Sequence, residues 1–297
     1  MKHAYLIMAH NNPYTLESLI KLIDDERNDI YLHIDIKANL DIEHISSIPQ
    51  KSKIVLVERL NGAWAQMIIP KYLLMNAAYS KGYDYYHLLS GVDLPIKSQD
   101  YIHDFFEKNK GKEFVGFKPD EFFDKSWIEK IYLFPNEFRT NNKFKKNLRL
   151  IFLKVQSIFN YKYRKDTKEC QYKKGPEWFS ITHDLMQILI KYENEIKETY
   201  KYSYLKDEQF IQTVLFNSHL KNNIFAYEQD QLYACMRYVN WKEGTKEFSM
   251  GSPSSITIED IERIVKSDRL FARKFDDYNK DAINSVLNKL NIQKHSK

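Results

Sequence analysis

The sequence has very little cysteine, glycine and proline, and each shortage excludes a class of protein. Cys170 and Cys235 are the only cysteines among 297 residues, so neither a disulfide framework nor a cysteine-ligated zinc site is indicated. With 8 glycines and 8 prolines, the sequence contains no low-complexity linker. No hydrophobic run approaches the length of a membrane span, and the apolar run at 4–9 is too short for a signal peptide. We therefore expect a cytoplasmic protein.

Two signatures of phosphate and metal binding are also missing. The chain contains neither a Gly-x-Gly-x-x-Gly loop nor a P-loop, the glycine-rich turns that surround nucleotide phosphates. No two aspartates are separated by a single residue, so the Asp-x-Asp pattern that holds a divalent ion is absent, and no metal or other cofactor is expected. A leaving phosphate would then be met by lysine or arginine. Arg273 and Lys274 are a candidate pair, with an ordinary surface pair as the alternative.

Positive charge is concentrated in one segment. The net charge is +5, yet residues 139–174 contain 12 lysines and arginines against 2 acidic residues, a local balance of +10. Such a segment, with aromatic residues interspersed, could contact an anionic membrane or a nucleic acid, or be an ordinary solvated face. We expect peripheral contact with an anionic membrane and no nucleic acid, because nucleic-acid binding would leave the acidic remainder of the chain unexplained.

The first hundred residues alternate between short apolar runs and segments with helical periodicity. The apolar runs lie at 4–9, 30–34, 53–57 and 84–89. This alternation predicts an α/β fold in which a mostly parallel central sheet is flanked by helices. Such sheets bind ligands at the carboxyl ends of their strands. His10, Asp35 and Asp93 follow three of the predicted strands, so we expect them at that edge.

The segment 90–95, with the sequence Ser-Gly-Val-Asp-Leu-Pro, follows the fourth predicted strand. Ser90 and Gly91 break the apolar run, and Pro95 cannot continue a central strand. The turn therefore carries the carboxylate of Asp93 to the edge of the sheet. Asp93 is either a ligand-binding residue or a cap of the turn, and the segment alone favours neither.

The second half of the chain offers a catalytic carboxylate. Asp207 and Glu208 precede apolar residues at helical spacing, which predicts Glu208 in the first turn of a helix. The helix dipole favours an ionised carboxylate there, and a capping role is the alternative to a catalytic one. Aromatic side chains beside turns or strand ends suit stacking on sugar rings, with core packing as the alternative. These are Trp64, Trp178, Tyr238 and Trp241.

Several segments in order along the chain together resemble the core-2/I-branching family of β-1,6-N-acetylglucosaminyltransferases and peptide O-xylosyltransferases. The most specific are 88–97 (Leu-Leu-Ser-Gly-Val-Asp-Leu-Pro-Ile-Lys) and 207–210 (Asp-Glu-Gln-Phe). The others are 4–10, 33–37, 175–182, 237–241 and 271–275. The resemblance covers about residues 3–277. It implies a GT-A-type fold, a UDP-sugar donor with N-acetylglucosamine favoured, and inverting, metal-independent transfer to a hydroxyl of a glycan or lipid-linked glycan.

The resemblance also implies roles for individual residues. Glu208 matches the catalytic base, although Lys206 replaces the proline usual before the Asp-Glu pair. The family's upstream arginine has no counterpart, so Arg273 or Arg237 would substitute for it at the diphosphate. The expected donor site comprises His10, Asp35, Trp64, Arg273 and Lys274. The expected acceptor site comprises Ser90, Asp93, Glu177, Trp178, Asp207, Tyr238, Asn240 and Trp241.

We predict one domain over 1–277 and a polar helical tail over 278–297. Residues 1–117 would form the nucleotide-binding half, and 118–277 the acceptor half with the basic insertion 139–174. Animal members of the family are disulfide-rich Golgi proteins, so the resemblance points to a bacterial relative in surface polysaccharide synthesis at the inner face of the membrane. The alternatives are a metal-dependent or retaining glycosyltransferase of another family and a non-enzymatic nucleic-acid-binding protein.

Overall fold

The computed structural model describes residues 1–60, 68–137, 141–245, 249 and 252–295. The strands are β1 (His3–Ala9), β2 (Asn28–Ile34), β3 (Lys53–Leu56), β4 (Tyr85–Ser90), β5 (Leu94–Pro95), β6 (Phe114–Val115), β7 (Phe179–Thr182), β8 (Arg237–Val239) and β9 (Phe271–Arg273). The helices are α1 (Pro13–Ile23), α2 (Ile42–Ser47), α3 (Ile68–Tyr79), α4 (Gln99–Lys108), α5 (Ser126–Glu129), α6 (Lys143–Ile158), α7 (His183–Lys191), α8 (Glu193–Thr199), α9 (Phe210–Phe216), α10 (Gln231–Ala234), α11 (Ile261–Lys266) and α12 (Lys280–His295).

Six strands form the central sheet in the order β3-β2-β1-β4-β7-β6. Strands β1 to β4 are parallel to one another, whereas β7 is antiparallel to both β4 and β6. The prediction of a mostly parallel sheet flanked by helices is confirmed. Because parallel strands end at the same edge, the residues that follow β1, β2 and β4 meet there.

Helices cover both faces of this sheet, and its strands are buried except for the edge strand β3, which is largely exposed. Tyr5 and Ile7 of β1 join one hydrophobic core, while Ala4 and Leu6 join the core on the opposite face. This division follows from the two-residue period of a strand, whose successive side chains point to opposite faces. It also explains why the first strand is a continuous apolar run without polar alternation.

A second sheet joins the carboxyl-terminal part of the chain to the edge of the first. Its three strands lie in the order β5-β9-β8, with Leu94 opposite Ala272 and Arg237 opposite Phe271. Strand β8 begins the segment 237–241, one of those that carry the family resemblance. Strand β9 carries Arg273 at its end and therefore places this arginine beside the turn that follows β4.

Helix α12 differs from the predicted polar tail. Its residues Ala282, Ile283, Val286 and Leu290 are buried in the core that contains Tyr5. The spacing of these residues forms one apolar stripe, which packs with α1 and α11. The description of 278–297 as a polar tail was therefore wrong for the buried face of this helix.

Candidate active site

The loop after β2 holds Asp35 at the edge of the sheet. The Asp35 amide donates to the carbonyl of Ala9, 2.9 Å away, and its Oδ1 accepts from the amide of Lys37 at 2.8 Å. Arg59 secures the same loop, since its Nη2 donates to the carbonyls of Asp35 and Ala38 at 2.9 Å each. The carboxylate is thus fixed in place. The sequence analysis missed Arg59, which lies in no motif.

His10, Asp35 and Lys274 lie within electrostatic range of one another. Desolvation lowers the pKa of His10, nearby Asp35 opposes that change, and Lys274 lowers the pKa further. His10 follows β1 and Lys274 follows β9, so the two sheets bring these residues together. Three of the residues expected at the donor site therefore meet. Trp64, also expected there, lies outside the described residues.

Asp93 caps the turn after β4, one of the two roles that the sequence left open, and also lies beside an arginine. Its carboxylate accepts from the Ser90 amide at 2.8 Å and the Ser90 hydroxyl at 2.9 Å, which closes the turn after β4. It also lies 3.6 Å from Nε of Arg273. Burial raises the pKa of Asp93, and Arg273 opposes this change. With a residue exposure of 1%, Asp93 supports the turn and the arginine, and direct acceptor contact stays a prediction.

Arg273 is fixed between a carboxylate and an aromatic ring. Its guanidinium carbon lies 4.1 Å from the centre of the Trp178 ring, within range of a cation–π interaction. Trp178 itself is buried, so the face that contacts Arg273 is not open to a sugar. The buried indole therefore orients a cation at the end of β9, and its predicted contact with the acceptor stays untested.

Arg237 is excluded as the substitute for the missing upstream arginine. It is buried and donates through Nη1 to the carbonyl of Cys235 at 2.8 Å and through Nη2 to that of Phe179 at 3.0 Å. These bonds use the guanidinium to join β8 to the central sheet. Of the two arginines considered, Arg273 alone stays a candidate for the diphosphate.

A buried lysine of α3 lies beside two acidic residues of the acceptor half, Glu177 and Asp207. Nζ of Lys71 lies 3.2 Å from Oε2 of Glu177 and 3.5 Å from the carbonyl of Asp207. Burial raises the pKa of Asp207 to about 7; Lys71 opposes this, and the carboxylates of Glu177 and Glu208 add to it. Lys71 was missed, although a lysine inside the otherwise apolar helix α3 was a signal for a buried ion pair.

Glu208 lies in a 3₁₀ turn, Lys206–Glu208, and α9 begins after it at Phe210. The prediction that it occupies the first turn of the helix was therefore wrong, because the tight turn precedes the helix. Nζ of Lys174 lies 2.5 Å from Oε2 of Glu208 and also lies over the ring of Trp127, 4.9 Å from its centre. The Glu208 side chain is 30% exposed, so it remains accessible.

Gly175 explains how Lys174 reaches Glu208. The Gly175 amide donates to the Glu208 carbonyl at 2.9 Å, so the two segments are joined by their backbones. A Cβ at position 175 would lie 1.9 Å from the carbonyl oxygen of Gly116, which no side chain could tolerate. The sequence analysis counted Lys174 only as part of the basic segment, and the structure places it at the catalytic candidate.

Tyr238 and Asn240 lie beside β9, because Tyr238 is opposite Ala272 and the Asn240 amide donates to the carbonyl of Arg273 at 2.9 Å. Asn240 is buried, and its Nδ2 donates to the Ser255 carbonyl at 3.1 Å. The Tyr238 ring lies 5.7 Å from the Arg263 guanidinium, and Trp241 is partly exposed. These contacts join Tyr238 and Asn240 to the segment that leads into α11. Their acceptor roles stay predictions.

The remaining predicted residues form a continuous series from Glu208 to Lys274. Asp207 adjoins Glu208, and the carboxylate of Glu177, the neighbour of Trp178, raises the pKa of Asp207. Trp178 in turn contacts Arg273, which precedes Lys274. A series of neighbouring residues thus links Glu208 to Lys274, and a cation lies beside a carboxylate at each end of the series. Within the described part of the chain, no group of three or more His, Cys, Asp or Glu residues could hold a metal ion.

Comparison with known proteins identifies the family. A sequence model of the Core-2/I-Branching enzyme family matches residues 3–265. Xylosyltransferase 2 of Rattus norvegicus is 23% identical over 299 residues, covering 92% of this chain and 32% of the rat protein. Xylosyltransferase 2 of Homo sapiens is 21% identical with the same coverage. The chain spans about a third of the length of these relatives.

Two solved glycosyltransferase structures show limited similarity to this chain. The apo form of the glycosyltransferase GlyE from Streptococcus pneumoniae TIGR4 has a TM-score of 0.42 and 12% identity, covering 99% of this chain and 64% of that one. Mouse xyloside xylosyltransferase 1 has a TM-score of 0.37 and 9% identity, covering 91% of this chain and 97% of that one. The family match extends over most of the chain and includes the cluster around Glu208. The chain therefore belongs to the core-2/I-branching enzyme family of glycosyltransferases.

Proposed function

We propose that this protein is an inverting, metal-independent glycosyltransferase that moves a sugar from a UDP-sugar to a hydroxyl of a glycan. The observation that carries the proposal is the accessible carboxylate of Glu208, set beside buried Asp207 in a segment that matches the family's Asp-Glu pair. Arg273, which lies over the ring of Trp178, and its neighbour Lys274 support the metal-independent form of the reaction.

Glu208 acts as the general base in this proposal. One carboxylate oxygen accepts the proton of the acceptor hydroxyl while that oxygen attacks the anomeric carbon on the face opposite UDP. The bond from the anomeric carbon to the diphosphate oxygen breaks, and UDP leaves with the bonding electrons. Arg273 and Lys274 meet the charge that develops on the diphosphate. Displacement from the opposite face inverts the anomeric configuration.

Lys174 orients the base. A carboxylate has two oxygens, and Lys174 holds Oε2 of Glu208 at 2.5 Å, which leaves the other oxygen for the acceptor hydroxyl. Trp127 beneath the ammonium and the bond from the Gly175 amide limit the motion of this pair. Asp207 is less suited to the same role, because it is buried beneath Glu208 and Glu177 and cannot approach a substrate as closely.

N-acetylglucosamine is the favoured donor sugar, on the precedent of the family's branching enzymes. Xylose is the second choice, because the curated relatives are named xylosyltransferases. Release of UDP, measured across UDP-N-acetylglucosamine, UDP-xylose, UDP-galactose and UDP-glucose, distinguishes them. The acceptor in this proposal is a glycan or lipid-linked glycan of a bacterial surface polysaccharide, extended at the inner face of the membrane near the basic segment 139–174.

Replacing Glu208 with Gln tests the base. Removal of a general base typically costs 10²- to 10⁴-fold in turnover, so we expect kcat to fall by about that factor while the affinity for UDP changes little. Glu198→Gln is the matched control, because Glu198 is an exposed glutamate paired with Lys201. Wild-type turnover in Glu208→Gln would contradict the assignment.

Two further measurements test the reaction class. Turnover should persist in excess EDTA, and inhibition that manganese reverses would contradict the metal-independent mechanism. The anomeric configuration of the product, read by NMR, should be opposite to that of the donor. Retention of configuration would exclude the single displacement described above.

A further inference from the structure

Helix α6 carries an unpartnered apolar stripe on the surface of the protein. Its members follow one another at alternate spacings of four and three residues, the spacing of one helix face. They are Phe144, Leu148, Ile151, Val155 and Ile158. Each is exposed, by between 37% and 73%. Phe159 and Tyr161, which follow the helix, are exposed as well.

The opposite face of α6 fixes the helix so that the stripe points outward. Arg149 and Gln156 are buried, and the Gln156 side chain accepts from the Ile131 amide and donates to the Ile131 carbonyl at 2.9 Å each. Lys130 donates to the Ser157 hydroxyl at 2.6 Å. With polar groups bonded on the inner face, the helix cannot rotate its apolar stripe into the core without breaking these bonds.

The charge of α6 identifies what covers the stripe. The helix contains five lysines and arginines and no acidic residue, and exposed Lys143 and Lys154 flank one side of the stripe. A second copy of this chain would bring equal charges together across the contact. An anionic lipid surface accepts both features, because acyl chains cover apolar side chains while phosphates pair with lysines.

We propose that α6 lies in the surface of an anionic bilayer, with its apolar stripe at the boundary of the acyl chains and its lysines among the head groups. The helix is not long or apolar enough to span a membrane. Exposed Phe159 and Tyr161 at its end fit the interface, where aromatic side chains are favoured. If the protein is the glycosyltransferase proposed above, this membrane contact implies that its acceptor is a lipid-linked glycan, and this consequence rests on the proposed function.

The anchor of α6 leads directly to the catalytic candidate. Gln156 binds the backbone at Ile131, and the segment before it carries Trp127. Trp127 lies under the ammonium of Lys174, which is bonded to Glu208. A membrane against α6 would therefore lie on the acceptor half of the protein, where a sugar attached to a membrane lipid must arrive.

Flotation with lipid vesicles tests the docking surface. The full chain should float with vesicles of phosphatidylcholine and phosphatidylglycerol, and much less with phosphatidylcholine alone. Ile151→Asn should reduce partition into the anionic vesicles about tenfold, because a buried apolar side chain is lost from the contact. Ile258→Asn is the matched control, since Ile258 is an exposed isoleucine in a different element, and it should float like the parent.

Equal partition of the Ile151 variant and the parent would overturn the proposal. So would a parent that forms dimers without vesicles and becomes monomeric in Ile151→Asn, since a second copy would then cover the stripe. UDP release with a water-soluble acceptor separates the two proposals. Ile151→Asn should retain this UDP release. If the parent floats with vesicles but releases no UDP, the proposed glycosyltransferase activity is contradicted and the proposed docking surface is not.

Discussion

Replacing Asp207 with Asn should stabilise the protein, and by an amount that depends on pH. Burial raises the pKa of Asp207 from an ordinary value of about 3.9 to about 7. The folded state therefore retains this proton between about pH 4 and pH 7, while the unfolded chain releases it. The neutral carboxyl of Asp207 makes its full contribution to stability below about pH 4, and this contribution is lost as the pH rises through 7. Because asparagine cannot ionise, the variant keeps this contribution at every pH.

The size of the effect follows from that pKa. A rise of about three pKa units corresponds to about 4 kcal/mol in the free energy of unfolding above pH 7, and to about 1 to 2 kcal/mol at pH 5. An unfolding entropy of about 2.1 cal/mol/K per residue gives about 0.6 kcal/mol/K for 297 residues. The melting temperature of Asp207→Asn should exceed that of the parent by about 6 °C at pH 8 and about 2 °C at pH 5.

The substitution leaves the neighbouring lysine paired. Lys71 contacts the backbone carbonyl of residue 207, which asparagine retains, and still pairs with Glu177 at 3.2 Å. Differential scanning calorimetry of parent and variant at both pH values measures the effect. Asp104→Asn is the control: Asp104 is exposed on α4, and surface substitutions usually change stability by less than about 0.5 kcal/mol. A gain that is absent at pH 8, or equal at both pH values, would refute the reasoning.

Two further changes test the supports of the site. Arg273→Lys should weaken UDP binding about tenfold in a calorimetric titration. An ammonium group cannot lie flat on the Trp178 ring, and it cannot present the fixed fork of donors of a guanidinium. An unchanged affinity for UDP would show that Arg273 is not part of the donor site. Gly91→Ala should lower the melting temperature by about 2–5 °C, because its Cβ would lie 2.9 Å from that of Ala9 and overpacking costs about 1–3 kcal/mol. A melting temperature equal to that of the parent would show that the turn can shift away from β1.

The parallel half of the fold was predictable because its signals are local. Strand and helix periods, and the polar residue that ends each strand, are properties of a few consecutive side chains. Topology then places His10 and Asp35 at one edge, since parallel strands share their ends. Helix α12 was described as a polar tail because polar residues outnumber apolar ones in its sequence, although four apolar residues form a buried stripe.

The sequence by itself determined the α/β alternation, the strand-end residues and the segment that carries Asp207 and Glu208. Only the tertiary structure decided which cations these carboxylates meet. Lys71 reaches Glu177 across 106 residues of sequence, and Lys174 reaches Glu208 across 34. The tertiary structure also distinguished the two candidate arginines: Arg237 is buried and bonded to backbone carbonyls, whereas Arg273 lies at the candidate site. The reason is physical: a period is set by neighbouring residues, whereas an ion pair depends on the packing of segments that are distant in the chain.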